Sequence, residues 1–176
     1  FGCLRSEKTF VNKKIEESNV VVERAFKAGN AAFDAKNYDE SIKQYDEGLA
    51  ADPEQPALLT QKSAALKARG VERYNAAITS KDEAAKTPGI EAAKGDFRAS
   101  AQASKRAIDL LNAQPVPTDP QDQIRFNANK VAALSTGAEA MRLFVTKVDP
   151  AEVEAGAKAF ADYLAVETDP ARKLSG

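Results

Sequence analysis

The sequence predicts an all-α fold, an α-solenoid of about three antiparallel helical hairpins with an elongated second hairpin. Alanine occupies 34 of the 176 positions, and it loses no side-chain entropy in a helix. β-Branched residues are sparse and rarely alternate with polar ones, so the pattern of a strand is missing. Apolar residues recur at spacings of three and four, which place them on one face of a helix.

Proline-containing joints separate the predicted helices, because proline lacks the amide donor and clashes with the preceding turn. The joints are Pro53 with Pro56, Thr87-Pro88-Gly89, Pro115 to Pro120, Asp149-Pro150 and Asp169-Pro170. We expect an N-terminal arm over 1–20, a helical domain over 21–170 and a tail over 171–176. The arm, extended or helical, would cover the open end of the domain.

The three hairpins are predicted over about 22–53, 56–114 and 121–170 from their apolar stripes. The main stripe residues are Val22, Phe26, Gly29, Phe33, Ile42, Tyr45 and Leu49, then Leu58, Leu66, Tyr74, Ile78, Ile90, Phe97 and Ile108, then Ile124, Val131, Leu134, Val153, Phe160 and Leu164. In the second hairpin we expect a helix over 57–86, about 45 Å long, with the tip near Pro88-Gly89. The third pair of helices is predicted over 121–148 and 151–167.

Residues 28–53, AGNAAFDAKNYDESIKQYDEGLAADP, carry a motif of their own. Small residues stand where two helices would cross, an aromatic residue follows a polar turn, and Asp-Pro closes the second helix. The segment resembles a tetratricopeptide repeat (TPR). The matching residues are Gly29, Asn30, Phe33, Asn37 to Glu40, Ser41, Ile42, Tyr45, Leu49, Asp52 and Pro53, whereas Ala25, Ala32 and Gly48 depart from the family pattern.

The resemblance extends more weakly over about 22–170. Residues 61–66 resemble the first helix of a second repeat, and residues 95–110 resemble its partner. The intervening residues 71–94 are themselves helix-forming, so we expect them to lengthen the hairpin. Residues 163–170 resemble the close of a third repeat. The resemblance implies a solenoid whose first helices line a concave groove for peptides or proteins.

Composition excludes several function classes. Lysine plus arginine number 25 against 26 acidic residues, and duplex nucleic acid needs many unopposed cations. We therefore expect no nucleic-acid partner. No apolar run approaches the roughly 20 residues of a membrane-spanning helix, so we expect no membrane span.

Catalysis is also disfavoured. The chain has no histidine and one cysteine, Cys3, so the common nucleophile–base pairs and histidine metal sites are unavailable. The paired carboxylates lie in predicted turns or on helix surfaces, as solvated residues do. We predict a protein that is not an enzyme and that uses no cofactor and no metal.

The candidate groove residues follow from the resemblance. They are Phe26, Asn30, Phe33, Gln61, Lys67, Arg125 and Asn129. One TPR subclass grips the C-terminal carboxylates of chaperones with a clamp. Asn30 matches that clamp, but Phe26 replaces its lysine, Gln61 replaces an asparagine, and Arg125 with Asn129 stand for a lysine and an arginine. We therefore prefer a packing role for Asn30.

The leading functional prediction is a protein-interaction scaffold or adaptor whose partner is another protein or a peptide. The alternative is a structural subunit that assembles with copies of itself, because neither end of the solenoid shows a polar capping helix. A co-chaperone is the weaker alternative. The compartment stays open: cytoplasmic by default, or secreted or cell-surface, since the chain starts without Met.

Overall fold

The computed structural model describes residues 3–147 and 153–166, in which every regular element is a helix. The helices are α1 (Cys3–Asp34), α2 (Tyr38–Ala51), α3 (Pro56–Thr79), α4 (Glu83–Ala113), α5 (Pro120–Lys147) and α6 (Val153–Val166). The all-helical prediction is confirmed. Each helix packs against its neighbours in the chain, and α3 is central because it contacts α2, α4 and α5.

Consecutive helices run antiparallel, as short connections require. In the first pair, the hydroxyl of Ser18 donates to the carbonyl of Ala51 at the end of α2. The hydroxyl of Ser41, near the start of α2, donates to the carbonyl of Gly29 in the second half of α1. These two hydrogen bonds show that α2 runs antiparallel to α1.

The turn between α1 and α2 is closed by its own backbone. The amide of Asn37 donates to the Ala32 carbonyl, and the amide of Lys36 donates to the Phe33 carbonyl. Lys36 takes a left-handed φ of 58°, the usual conformation at the end of such a helix. The side chain of Asn37 then accepts from the amide of Glu40 and caps α2.

The predicted tip of the second hairpin is wrong. The turn lies at residues 80–82, where the side chain of Asp82 accepts from the amide of Ala84 and starts α4. Pro88 is an internal residue of α4 and is exposed, so water can reach the carbonyl group that loses its partner. Gly89 lets α4 approach α3 closely beyond this turn, because an added Cβ would lie 2.7 Å from that of Ala77.

The predicted arm is not a separate element in the described residues. From Cys3 the chain is helical, and α1 continues without a break through the boundary expected between residues 20 and 21. Because α2 ends at Ala51, level with Ser18, residues 3–17 of α1 extend beyond it by about 22 Å.

In the described residues the core consists of four clusters of buried side chains. Tyr45 and Leu58 centre the cluster of α1, α2 and α3, whereas Phe97 and Phe144 centre that of α4 and α5. Two stripe residues were placed wrongly in the core: Ile78 is 48% exposed and Ile124 is 62% exposed. Ile78 lies beside the early turn, and Ile124 lies in the first turns of α5. The predicted side-chain roles of Val153, Phe160 and Leu164, and the tail 171–176, lie outside the described residues.

Candidate functional site: interaction surfaces

The residues predicted to line a groove fall on three helices. Phe26, Asn30 and Phe33 lie on α1, Gln61 and Lys67 on α3, and Arg125 and Asn129 on α5. The structure brings α3 against α5, but α1 meets α3 only slightly. The positions therefore form three groups with different environments.

The α1 group faces inward. Phe26 and Phe33 pack against the buried cluster around Tyr45, and Phe33 also meets Tyr38 edge-on at 5.5 Å between ring centroids. The side-chain oxygen of Asn30 accepts a hydrogen bond of 2.7 Å from the hydroxyl of Tyr45. Burial raises the pKa of this Tyr45 hydroxyl above its ordinary value, so the group stays a neutral donor.

The candidate residues of α3 and α5 lie at different levels along α5. The ammonium of Lys67 donates to Glu139 of α5. Asn129 lies ten residues before Glu139, about 15 Å along the helix. Arg125 and Asn129 are exposed, and Arg125 lies 3.7 Å from Asp122 of its own turn. Lys67, Arg125 and Asn129 therefore do not converge on one ligand group.

A buried carboxylate joins α2, α3 and α4. The Asp96 side chain is 5% exposed and accepts two hydrogen bonds from Arg69, of 3.0 and 2.6 Å, and one of 2.9 Å from Arg73. Arg69 also donates to Asp39 of α2 at 2.6 Å. The hydrogen bonds from Arg69 to Asp96 raise the pKa of the guanidinium. Because each charge in this network lies beside an opposite charge, the network cross-links α2, α3 and α4.

Three buried serines join α3 to α4 at their crossing. The Ser63 hydroxyl contacts those of Ser100 and Ser104 at 2.9 and 2.6 Å, and Ser100 donates to the Ser63 carbonyl. Within the described residues, the hydrogen-bond partners of these hydroxyls are serine oxygens of the facing or the same helix pair, so the three serines hold the helices at close range. Gly137 of α5 continues this close approach, because an added Cβ would lie 2.9 Å from that of Ser104.

An open groove of about 580 Å³ lies between α4 and α6, with α5 as its floor. We call it the α4–α6 groove. Its lining residues are Arg98, Ala101, Gln102, Ser104, Lys105, Ile108, Asp109 and Asn112 of α4, Leu134, Gly137, Ala138, Met141 and Phe144 of α5, and Lys158 and Asp162 of α6. The floor is apolar, and the charged side chains stand on the two walls.

The walls share one charge order. On α4 the cation Lys105 precedes Asp109 by one turn, and the two side chains lie 2.7 Å apart. On α6 Lys158 precedes Asp162 in the same way, at 2.8 Å. Both helices run antiparallel to α5, so both walls change from cation to anion in one direction. Arg98 adds a cation at the start of this order, with its guanidinium carbon 5.0 Å from the Phe144 ring centroid.

Within the described residues, no group of three or more His, Cys, Asp or Glu side chains could hold a metal ion. None of the helices in this part of the chain has both the length and the hydropathy to span a bilayer. Comparisons with protein-family models, with curated proteins and with solved structures gave no match.

Sequence reasoning missed the Asp96 network and the α4–α6 groove. The network had a signal, because Asp96 falls between Ala93 and Ser100 on the apolar face of α4, where an acid needs a partner. The groove had no such signal, since it depends on the spacing between α4 and α6, which both contact α5 and, as far as the described residues show, contact each other little.

Proposed function

We propose that the chain is a non-enzymatic protein-interaction scaffold of the TPR-like helical-repeat class, and that it receives an amphipathic helix of another protein. The observation that carries this proposal is the open α4–α6 groove, which combines an apolar floor with charged walls. An amphipathic helix binds such a groove with its apolar face on the floor and its flanking charges against the walls.

The TPR-like class is supported by the first helical pair. An added Cβ at Gly29 would overlap the ring of Tyr45, so the crossing needs a residue without a side chain. Ser41 is fully buried opposite Gly29, and Tyr38 covers the turn against Phe33. Those are the roles that the repeat motif assigns to these positions. The antiparallel order of α1 to α6 and the contact of α3 with α5 also fit a stack of hairpins.

The α4–α6 groove replaces the predicted concave groove as the leading surface. The α1 residues Phe26 and Phe33 already pack on the core, and Lys67 is engaged by Glu139. A co-chaperone clamp would need several convergent cations that are free to bind a carboxylate. The positions on α1, α3 and α5 offer no such cluster, so the co-chaperone reading stays the weaker one.

Two synthetic helices would test this function. Both carry the same apolar face. In one peptide the flanking charges run from basic to acidic, and in the other the same charges alternate along the helix so that neither end has a net charge. Fluorescence anisotropy should show binding of the basic-to-acidic peptide, whose basic end meets Asp109 and Asp162, with at least tenfold weaker binding of the alternating peptide.

A matched pair of variants makes the test specific. Ala101→Glu places a charge in the groove and should abolish peptide binding, whereas Ala92→Glu on an exposed position of the same helix should leave it unchanged. Failure of both peptides to bind, or binding that Ala101→Glu does not weaken, would show that the groove is not a helix receptor.

A self-assembling structural subunit is the second candidate. The specific observation in its favour is the length of α1, whose residues 3–17 extend past the end of α2. A helix end of this kind can pack against a second copy of the chain.

A further inference from the structure

Apolar side chains are exposed on α1 in the extended segment at Ile15 and just after it at Val20. Ile15 is 53% exposed and Val20 is 65% exposed. Ile15 stands seven residues before Val22, which packs against the core around Tyr45. In the sequence the same spacing leads from Ser18, which bonds to α2, back to Val11 and Leu4. The face that α2 covers further along α1 therefore continues, as a register of apolar residues, into the segment beyond α2.

Charge is unevenly distributed in this segment. Arg5, Lys8, Lys13 and Lys14 give residues 3–14 a basic character against the single acid Glu7. Glu16 and Glu17 follow at once. The segment thus runs from basic to acidic in the direction of the chain.

Along the chain, α4 and α6 have the same order, from cation to anion, so their charges complement those of the segment only when the two run antiparallel. Arg98 and Asp109 are eleven residues apart, and Arg5 and Glu16 are also eleven residues apart, so both pairs span about 16 Å of helix. A helix that lies antiparallel to the walls would place its acidic end at Arg98 and its basic end at Asp109.

We propose that residues 3–17 of α1 in one copy of the chain occupy the α4–α6 groove of a second copy, antiparallel to α4 and α6. The proposal rests on the proposed function, because it names the occupant of the same groove. The apolar face with Ile15 lies on the floor formed by Leu134, Ala138 and Met141. The complementary charges set the direction of the inserted helix and disfavour its reverse.

The contact is heterologous, since a helix on one side of the molecule meets a groove formed by other helices. Each chain then has one donor helix and one acceptor groove. Such contacts close into a ring if the rotation between copies permits it, and otherwise they continue as an open chain. Assembly by this route therefore passes beyond the dimer.

Sedimentation velocity of the full chain at several concentrations tests the proposal. The wild-type mass should grow with concentration. Ile15→Asp disables the donor helix, and Ala101→Glu disables the groove, so each variant alone should stay monomeric while its circular dichroism stays that of the wild type. Ala92→Glu, outside the groove, should assemble as the wild type does.

Mixing the two disabled variants gives the decisive measurement. The intact α1 of the Ala101→Glu chain can enter the intact groove of the Ile15→Asp chain, so an equimolar mixture should form a one-to-one dimer and nothing larger. A fluorescent peptide of residues 3–17 should bind the Ile15→Asp chain and not the Ala101→Glu chain.

A charge exchange keeps the test valid if either variant folds poorly. Arg98→Glu should weaken assembly at least tenfold, and Glu16→Arg in the same chain should restore it. The proposal is overturned by a wild-type chain that stays monomeric up to about 1 mM, by single variants that assemble normally, or by a mixture without dimers. If the synthetic basic-to-acidic helix binds while the chain remains a monomer, the scaffold function stands and only this assembly is wrong.

Discussion

The hydroxyl of Tyr45 donates a hydrogen bond of 2.7 Å to the side-chain oxygen of Asn30, and this bond ties α2 to α1. Tyr45 is fully buried, so its hydroxyl has no access to water and depends on protein partners. Asn30 thereby serves the inside of the first helical pair, which favours the packing role that the sequence suggested for it.

Removing the two partners of this bond should cost different amounts of stability. Tyr45→Phe removes the donor and leaves the half-buried Asn30 oxygen to find water, so we expect a loss of about 1 kcal/mol. Asn30→Ala leaves the buried hydroxyl without this acceptor and should cost about 1–3 kcal/mol. Urea unfolding followed by circular dichroism measures both. Equal losses, or a smaller loss for Asn30→Ala, would show that the bond does not bear on stability in this way.

Two glycines in helices should respond in opposite directions to alanine. At Gly29 an added methyl group overlaps the Tyr45 ring, and overpacking of this kind costs about 1–3 kcal/mol. At Gly95 the same methyl group meets nothing within 4 Å, so Gly95→Ala should stabilise α4 by about 0.5–1 kcal/mol. Thermal melts compare the two variants. A neutral Gly29→Ala would mean that α1 and α2 do not cross closely at this residue.

Much of the helical architecture could be predicted because it depends on local signals. The pattern around Gly29 and Ser41 placed the first crossing, and the joint at Pro53 with Pro56 separated α2 from α3 as predicted. The third pair, predicted at 121–148 and 151–167, has the observed bounds Pro120–Lys147 and Val153–Val166.

Misplacements arose where tertiary packing outweighed a local signal. Pro88 indicated a turn, but α4 starts before it, at the cap formed by Asp82, and Gly89 then lies close to Ala77 of α3.

The candidate site was harder to predict from the sequence than the helices were. A groove between α4 and α6 follows from the spacing of helices, which no residue pattern encodes, whereas the predicted set on α1, α3 and α5 was transferred from a family motif.

Lys36 holds the left-handed position at the end of α1, where glycine is the preferred residue. Lys36→Gly should therefore stabilise the fold by about 0.5–1 kcal/mol, because the strained φ is relieved. Glu47→Gly, at an exposed interior position of α2, should instead lose about 1 kcal/mol. Chemical denaturation of both variants distinguishes the effect of the turn from a general effect of glycine, and a loss at Lys36→Gly would contradict the geometry of the turn.

The Asp96 carboxylate should matter more than any exposed ion pair. Asp96→Ala leaves Arg69 and Arg73 with the exposed Asp39 as their only acidic partner among the described residues. Breaking a buried pair in this way costs about 3–5 kcal/mol. Asp109→Ala removes a pair whose side chains are 52% exposed at Asp109 and 76% exposed at Lys105, so it should change stability by no more than about 0.5 kcal/mol. Unfolding in urea measures both losses, because urea is uncharged and does not screen the ion pairs as guanidinium chloride would. Similar losses in both variants would show that the network does not lock α3 to α4.

The chain should not bind the acidic C-terminal peptides of chaperones. The clamp of the TPR subclass needs a cation at the Phe26 position, and here Phe26 packs against the core while Asn30 is bonded to Tyr45. Charge-assisted hydrogen bonds are roughly twice as strong as neutral ones, so the neutral Asn30 cannot replace that cation. Calorimetry at low salt should give a Kd no tighter than about 1 mM, or about −4 kcal/mol.

Adding cations tests whether only charge is missing from that surface. Phe26→Lys with Asn129→Arg supplies both positions, but Lys67 remains bound to Glu139, and Asn129 lies about 15 Å along α5 from that contact. We therefore expect at most weak binding from the double variant, and more only if Glu139→Ala releases Lys67. The informative contrary result is micromolar binding by the unmodified chain that Asn30→Ala abolishes. It would mean that Asn30 exchanges its bond to Tyr45 for a ligand carboxylate, and the co-chaperone reading would then take first place.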